Sequence, residues 1–286
     1  MALVVDTHTH VISPDIARHP LAPLGGHQSD WSRARPVSHE QLLAAIDAAG
    51  IDKALVVQAS TAYGHDNSCV VEAVAAHPTR FAGVFSVDVL AADAAARIRH
   101  WYDAGLIGLR LFTTGTTMPG QATWLDSPES FPAWDLAQQL RLPVCVQMTM
   151  DGIPLLRRLL DRFPGVTVIL DHLARVTLDD GPPYRAAAPL FDLARYPRVF
   201  LKPTIRTFEA AASGAATPES FFPLLLSHFG AERIAWGSNF PAAAGSPRQL
   251  LERARASLAM LAERDREWIF GRTACLLYPA LGDADG

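Results

Sequence analysis

Cysteine is scarce in this chain of 286 residues, which contains three of them, at Cys69, Cys145 and Cys275. They lie far apart, are odd in number and form none of the closely spaced pairs that zinc and redox sites use. We therefore expect ordinary buried thiols without a catalytic role.

Basic runs are also missing, since 25 Lys and Arg residues stand against 29 Asp and Glu residues and the formal charge is −4. No segment could neutralise a row of phosphates, which excludes nucleic acid as an expected partner. The chain lacks an apolar stretch of about 20 residues that could span a membrane. Its first residues run directly into strand-like Leu3, Val4 and Val5 without the regions of a signal peptide, so we expect a cytoplasmic protein with no membrane partner.

Apolar residues are abundant instead: hydrophobic residues make up 49% of the chain and charged residues 19%, with no low-complexity tract. This composition supports a sizeable packed core. Barrels of alternating strands and helices commonly reach about 250 residues as one unit. We therefore expect residues 1–286 to form a single domain.

Eight short apolar runs rich in Val, Ile, Leu and Phe are each bounded by turn-forming or charged residues, which predicts strands buried on both faces. The runs are Leu3 to His10, Lys53 to Ser60, Phe81 to Asp88, Leu106 to Phe112, Pro143 to Met148, Thr167 to His172, Val199 to Thr204 and Arg233 to Ser238.

Segments with helical periodicity separate these runs, for example the apolar stripe of Leu156, Leu159, Leu160 and Phe163. Strict alternation of strand and helix requires a parallel sheet, and eight units close that sheet into a barrel. We predict an α/β protein with the (β/α)8 barrel fold. An open doubly wound sheet is the alternative, but no Gly-rich phosphate loop follows the first strand.

Two long segments break this alternation. Residues 11–37 and 113–128 are irregular, and the first is rich in proline and glycine. Both follow the carboxyl end of a strand, where barrel enzymes place the loops that cover their substrates. Beyond Ala262 we expect an additional helix that ends near Tyr278.

The first strand ends in Asp6-Thr7-His8-Thr9-His10. Because side chains alternate along a strand, His8 and His10 share one face and converge at the barrel mouth. Two imidazoles in this position suit one divalent metal. The alternative is a pair of histidines that are simply hydrogen-bonded within a polar barrel top.

Polar residues also end other predicted strands: Arg110 in the fourth, Asp171 and His172 in the sixth, Lys202 in the seventh and Asn239 after the eighth. Burying a polar group without a partner costs roughly 1 to 3 kcal/mol, so packing alone does not account for them. We interpret them as a functional site. For Asp171, a purely structural role at the barrel top is an equal alternative.

Together these motifs resemble the amidohydrolase-2 family. The resemblance rests on His-x-His at the first strand, on Asp171-His172-Leu173-Ala174-Arg175 at the sixth, and on Trp236-Gly237-Ser238-Asn239-Phe240-Pro241 at the eighth. Val57-Gln58-Ala59-Ser60, with Tyr63-Gly64 and Asp66-Asn67, is similar to a loop of the family's lactonase branch, whose best-known member hydrolyses 2-pyrone-4,6-dicarboxylate. The resemblance covers nearly the whole barrel and implies a hydrolase.

Two positions differ from the metal-binding members of the family that the sequence resembles. Gln147 stands where many of them have a histidine of the fifth strand, and Asn239 replaces the aspartate of the eighth strand. An amide cannot act as a base near neutral pH. The resemblance also implies that some lactonases bind no metal, so we expect zinc or manganese to be held weakly at His8 and His10, or to be absent.

The resulting hypothesis is hydrolysis of a small carboxylated lactone, a ring ester, in a catabolic pathway. Its carbonyl is polarised by His8, His10 or a metal, His172 moves the proton, and Asn239 orients water or donates a hydrogen bond. The residues expected to contact an anionic substrate are Ser60, Tyr63, Arg110, Gln147, Arg175, Lys202 and Arg206. Arginine's planar fork suits a carboxylate.

Two other functions stay open. Decarboxylating relatives share the fold and the His-x-His motif, although Asn239 counts against that chemistry. A barrel that has lost catalysis and binds a metabolite is the third reading. The sequence does not fix the substrate or the oligomeric state, and a homo-oligomer is compatible with it.

Overall fold

The computed structural model describes residues 2–282, and within them seven parallel strands follow one another in chain order around one sheet. The strands are β1 (Val5–Thr9), β2 (Lys53–Val57), β3 (Phe81–Ser86), β4 (Gly108–Phe112), β5 (Val144–Gln147), β6 (Val168–Asp171) and β7 (Val199–Lys202). Each lies within a predicted run and is shorter than it by up to three residues.

The eighth predicted strand, Arg233 to Ser238, occupies its expected place but is not a regular strand. Parallel bridges join Ile234 to Leu201 of β7, and Phe240 to Thr9 of β1. The backbone N–H of Asn239 donates to the carbonyl of His8 at 2.8 Å. The segment therefore closes the sheet between β7 and β1, and the predicted barrel is confirmed.

The irregularity of this segment has a local cause. A Cβ on Gly237 would lie 2.6 Å from the Cβ of His8, so the segment packs closer to β1 than a side chain would allow. Asn239 then adopts a left-handed backbone with φ of +62°. Asparagine accepts that conformation more readily than most residues.

Thirteen α-helices occur among the described residues. They are α1 (Asp30–Ala34), α2 (His39–Ala49), α3 (Ser60–Tyr63), α4 (Ser68–Ala76), α5 (Ala94–Asp103), α6 (Phe131–Leu140), α7 (Ile153–Arg162), α8 (Ala188–Phe191), α9 (Ile205–Ala210), α10 (Pro218–Phe229), α11 (Pro247–Ser257), α12 (Glu263–Glu267) and α13 (Thr273–Leu277). In α7 the predicted stripe is confirmed, since Leu156, Leu159 and Leu160 are buried. No helix in residues 2–282 has the length and apolarity to cross a membrane.

The predicted C-terminal helix is present as α12, a π-helical turn at Trp268–Arg272, and α13. Tyr278, which follows it, is buried in the same apolar cluster as Val5 and Val84 of the sheet. The cluster also contains the buried thiol Cys145, whereas Cys275 is partly exposed. The C-terminal segment thus packs against the barrel interior and leaves the carboxyl ends of the strands to the loops.

Candidate active site

A pocket of about 130 Å³ opens at the carboxyl ends of the strands. It is smaller than the ~300 to 1,000 Å³ of pockets for drug-sized ligands, which suits a small metabolite. Eight of the predicted site residues line it: His10, Ser60, Arg110, Gln147, His172, Arg175, Arg206 and Asn239. The structure therefore brings together residues from seven different positions around the barrel.

The two long loops cover this pocket. Trp31 lines it from the first loop, where α1 forms within the segment we had expected to be irregular, and Thr116 lines it from the second. The Trp31 ring lies 5.2 Å from that of His10, centroid to centroid, at an interplanar angle of 31°. The loops meet where Gly25, with φ of +85°, packs against the backbone of Thr117. The sequence predicts the covering loops and leaves open whether Trp31 anchors the first loop or covers a ligand; the structure places it in the pocket lining.

The hydrogen-bond partner of Nδ1 determines which nitrogen of His10 carries the proton. Its Nδ1 lies 2.7 Å from the backbone carbonyl of Val57, and a carbonyl only accepts. In the neutral ring the proton is therefore on Nδ1, and Nε2 carries a lone pair. Burial and the nearby Arg110 lower the pKa of His10 to about 4, so the ring is neutral at pH 7.

His8 lies beneath the pocket and is fully buried. Its ring centroid is 5.0 Å from that of His10 and 5.0 Å from that of His172. Among the described residues, Nε2 of His8 has no hydrogen-bond partner. Burial lowers the pKa of His8 well below its ordinary value, so this imidazole is neutral too.

Asp171 is the centre of a buried ionic network. Its Oδ1 lies 2.9 Å from Nζ of Lys202, and its Oδ2 accepts from Nε of Arg110 at 3.0 Å. Lys202 is fully buried and does not line the pocket, so the structure places it away from any substrate. Although burial opposes ionisation, the cations Lys202 and Arg110 hold the pKa of Asp171 well below its ordinary value.

Arg110 reaches from this network into the pocket. Besides Asp171, its guanidinium donates to the side-chain oxygen of Gln147 and, at 3.4 Å, to the carbonyl of Gln58. Gln147 in turn donates to the carbonyl of Thr114 at 2.8 Å. An arginine has five N–H donors, so three of these bonds leave two for a ligand.

His172 sits on a strained backbone turn. Residues 172–175 all have positive φ, between +50° and +56°, which costs a non-glycine residue roughly 1 kcal/mol or more. The turn lets His172 and Arg175 both line the pocket. The Nδ1 of His172 is 2.7 Å from the hydroxyl of Thr204. Burial, together with Arg110, lowers the pKa of His172 to about 3 despite the opposing effect of Asp171.

Arg175 and Arg206 form a positively charged wall that separates the pocket from a neighbouring groove. Within residues 2–282, neither guanidinium has a carboxylate partner. Burial, with Arg206 and Arg110 close by, lowers the pKa of Arg175. Neighbouring cations without a counter-ion favour an anionic ligand.

Three of the remaining residues have distinct positions. The hydroxyl of Ser60 is buried in the pocket lining, without a partner among the described residues. Tyr63 is outside the lining, and its hydroxyl accepts from the backbone N–H of Ser13 at 2.8 Å. Asn239 lines the pocket together with His10.

Asp6 is a buried group whose role was not predicted. Its Oδ1 accepts from the backbone N–H groups of His8 at 3.1 Å and Ser238 at 2.8 Å, which ties β1 to the closing segment. Burial raises the pKa of Asp6 to about 6. The sequence signal that could have indicated this structural role is a carboxylate within an otherwise apolar strand.

The side chains of this site do not fit a divalent metal. Within the described part of the chain, no three His, Cys, Asp or Glu side chains are grouped so that they could hold one. The Asp171 carboxylate is already paired with Lys202 and Arg110. Asn239 and Gln147 add no negative charge, and in residues 2–282 the imidazoles of the site are not grouped around one position as the imidazoles of a metal site are.

Comparison with known proteins gives a consistent result. The sequence profile of the amidohydrolase family matches residues 5–280. An L-fucono-1,5-lactonase of Burkholderia ambifaria is 27% identical over 119 residues, so the match spans 41% of each chain.

Solved structures share the fold over the whole chain. A Pseudomonas putida protein described as a 2-pyrone-4,6-dicarboxylic acid hydrolase has a TM-score of 0.78 at 21% identity, covering 99% of this chain and 100% of that one. A Burkholderia multivorans amidohydrolase with bound zinc has a TM-score of 0.75 at 20% identity, covering 97% and 99%. At these identities the likeness establishes the barrel fold.

Proposed function

Because the chain belongs to the amidohydrolase family, we propose that it opens a small carboxylated lactone by hydrolysis of the ring ester. The observation that carries this proposal is the composition of the pocket, in which neutral imidazoles face cations that have no carboxylate partner in residues 2–282. Such a pocket can bind an anion and move a proton at neutral pH. The similarity to a fuconolactonase, and to the fold of a pyrone dicarboxylate hydrolase, supports a lactone.

Substrate binding in this proposal depends on the positive charge of the pocket arginines. Arg175 and Arg206 receive the substrate carboxylate, and the two N–H groups left on Arg110 polarise the ester carbonyl. Asp171 and Gln147 hold Arg110 in place from behind, so this donor needs no reorganisation when charge develops on the carbonyl oxygen.

The proton step falls to His10, whose Nε2 carries a lone pair. Water attacks the carbonyl carbon, its proton passes to His10 Nε2, and the proton then moves to the ring oxygen as the carbon–oxygen bond breaks. Asn239, which lines the pocket with His10, orients the attacking water. His172 is the second candidate for this role, but a threonine hydroxyl both donates and accepts, so Thr204 does not fix its tautomer. No step uses a metal, because the side chains do not fit one.

The test is turnover on a panel of carboxylated lactones and their neutral counterparts, followed by proton release with a pH indicator and by carbon dioxide release in parallel. We expect proton release with carboxylated lactones and a loss of about 100-fold or more in His10→Asn, the range of general acid–base catalysis. Carbon dioxide release from unsaturated or aromatic acids, with no activity on any lactone, would replace hydrolysis by decarboxylation.

A further inference from the structure

We infer that Lys202 is a positioning residue that fixes His8 as a hydrogen-bond donor and thereby keeps divalent cations off the His8 and His10 pair. The inference concerns the two histidines themselves and does not depend on which substrate the pocket takes. It rests on the partners of the two Nδ1 atoms.

His10 has the arrangement that a metal-binding histidine needs. Its Nδ1–H donates to the carbonyl of Val57 at 2.7 Å, which leaves the lone pair on Nε2. Metal-bound histidines almost always donate their other ring N–H to a carbonyl, a carboxylate or water in this way. His10 alone therefore offers one ligand.

His8 has the opposite arrangement. Its Nδ1 lies 3.4 Å from Nζ of Lys202, within hydrogen-bond distance, and 3.6 Å from Oδ1 of Asp171, which is too long for one. An ammonium has donors and no acceptor, so in a hydrogen bond with Lys202 the Nδ1 of His8 is the acceptor. The proton of the neutral ring is then on Nε2, an atom without a hydrogen-bond partner in residues 2–282, and His8 has no lone pair to give to a cation on that side.

Lys202 is held in this position from several directions. Its Nζ lies 2.9 Å from Asp171 and 3.4 Å from Sγ of Cys145, and the side chain is fully buried. A buried ammonium needs a counter-ion, and the Asp171 carboxylate at 2.9 Å supplies it. Arg110 holds the other oxygen of Asp171 at 3.0 Å and prevents the carboxylate from turning toward His8.

A divalent cation at the two histidines would require His8 to move its proton to Nδ1. That proton would point at the ammonium of Lys202, so two donors would face each other where the structure now has a donor and an acceptor. The cation would also add its charge beside Lys202 and Arg110. Both effects follow from a single side chain, which makes the inference testable by replacing it.

The direct test determines the protonated nitrogen of each histidine in the native chain, without a substitution. Long-range ¹H–¹⁵N spectra of the uniformly ¹⁵N-labelled full chain at pH 7.5 report which nitrogen of each histidine carries the proton, and His8→Gln and His10→Gln samples assign the two rings. We expect the proton on Nε2 in His8 and on Nδ1 in His10. A proton on Nδ1 of His8 overturns the inference.

A second test measures zinc binding by isothermal titration calorimetry in the native protein and in Lys202→Met. Removing the ammonium frees Asp171 to accept from Nδ1 of His8, and we expect affinity for zinc to rise about 10-fold or more, as for other groups that orient a ligand. Lys202→Arg retains the donor and should bind no better than the native chain. The matched control is Lys53→Met, the other lysine of the chain, which bonds to the carbonyl of Leu281 instead.

Two outcomes contradict the inference. One is a native protein that already binds one zinc ion at His8, shown by loss of that binding in His8→Gln. The other is a folded Lys202→Met protein, verified by near-UV circular dichroism, whose affinity for zinc equals that of the native chain. If Lys202→Met does not fold, the spectra of the native chain decide.

Discussion

Arg110 and Asp171 form an ion pair at 3.0 Å in which both side chains are almost completely buried. The same carboxylate holds Lys202 on its other oxygen. One anion thus fixes a cation that lines the pocket and a cation that lies beneath it. The site depends on Asp171 for its shape as well as its charge.

The first prediction follows from this pairing. Asp171→Asn leaves two buried cations without their counter-ion, and breaking a buried pair costs about 3 to 5 kcal/mol. We expect the free energy of unfolding, measured by denaturant titration, to fall by about that amount. Asp93→Asn is the control, because Asp93 pairs with Arg97 at 2.9 Å on the surface and its loss should cost less than about 1 kcal/mol. Equal effects of the two substitutions would contradict the account.

The second prediction concerns pH. Burial lowers the pKa of His10 to about 4 and that of His172 to about 3, so each ring stays neutral as the pH falls through 6.5, where an ordinary histidine takes up a proton. A base must be neutral to act. We expect kcat/KM to be level from about pH 8 to about pH 5 and to fall only near pH 4. An acid limb near pH 6.5 that persists in Asp6→Asn, with the protein still folded by circular dichroism, would show that these histidines are not the base, because the pKa of Asp6 itself is raised to about 6.

The third prediction addresses the substrate's charge. Arg206 is exposed, lines the pocket and contributes to its positive wall. Arg206→Met should lower kcat/KM for a carboxylated lactone about 10- to 100-fold, because a hydrogen bond to a charged group is worth about 1.5 to 3 kcal/mol. The neutral counterpart should be nearly unaffected, as should both substrates with Arg264→Met, an exposed arginine outside the pocket. A similar loss on both lactones would exclude a carboxylate contact.

The fourth prediction tests the covering loops. Gly25 and Gly26 both have positive φ, but a Cβ on Gly25 would lie 2.1 Å from the carbonyl oxygen of Thr117, whereas a Cβ on Gly26 meets nothing within 4 Å. Gly25→Ala should push the two loops apart and raise KM several-fold. Gly26→Ala should lower the free energy of unfolding by about 1 to 2 kcal/mol, because alanine is strained at positive φ, and should leave the loop contact intact. Equal KM values in the two variants would show that the loop contact does not shape the pocket.

The sequence predicted the barrel because its signals are local. Seven of the eight apolar runs contain a regular strand, and the alternation with helices follows from periodicity alone. The eighth run forms bridges without a regular strand, because Gly237 packs against His8 and Asn239 turns left-handed. Both causes are contacts between distant segments, which periodicity does not report.

The site shows the same division. Residues at strand ends, such as His10 and Arg110, could be predicted because parallel strands bring their carboxyl ends together. How deep a side chain lies and where it points could not be predicted. The sequence therefore predicts Lys202 and His8 beside the substrate, although both are fully buried beneath the pocket. The sequence leaves the role of Trp31 open between loop anchor and ligand cover, because the path of an irregular loop depends on its tertiary contacts.

The measurement that tests the central claim most directly is kcat/KM on the preferred carboxylated lactone, before and after exhaustive treatment with a chelator, with metal content determined in both samples. In the proposed mechanism Arg110 polarises the carbonyl and the neutral imidazole of His10 moves the proton. We therefore predict unchanged turnover in the protein stripped of metal. Turnover that is lost on chelation and restored stoichiometrically by zinc or manganese would leave the lactone as the substrate but contradict both the metal-free mechanism and the role assigned to Lys202.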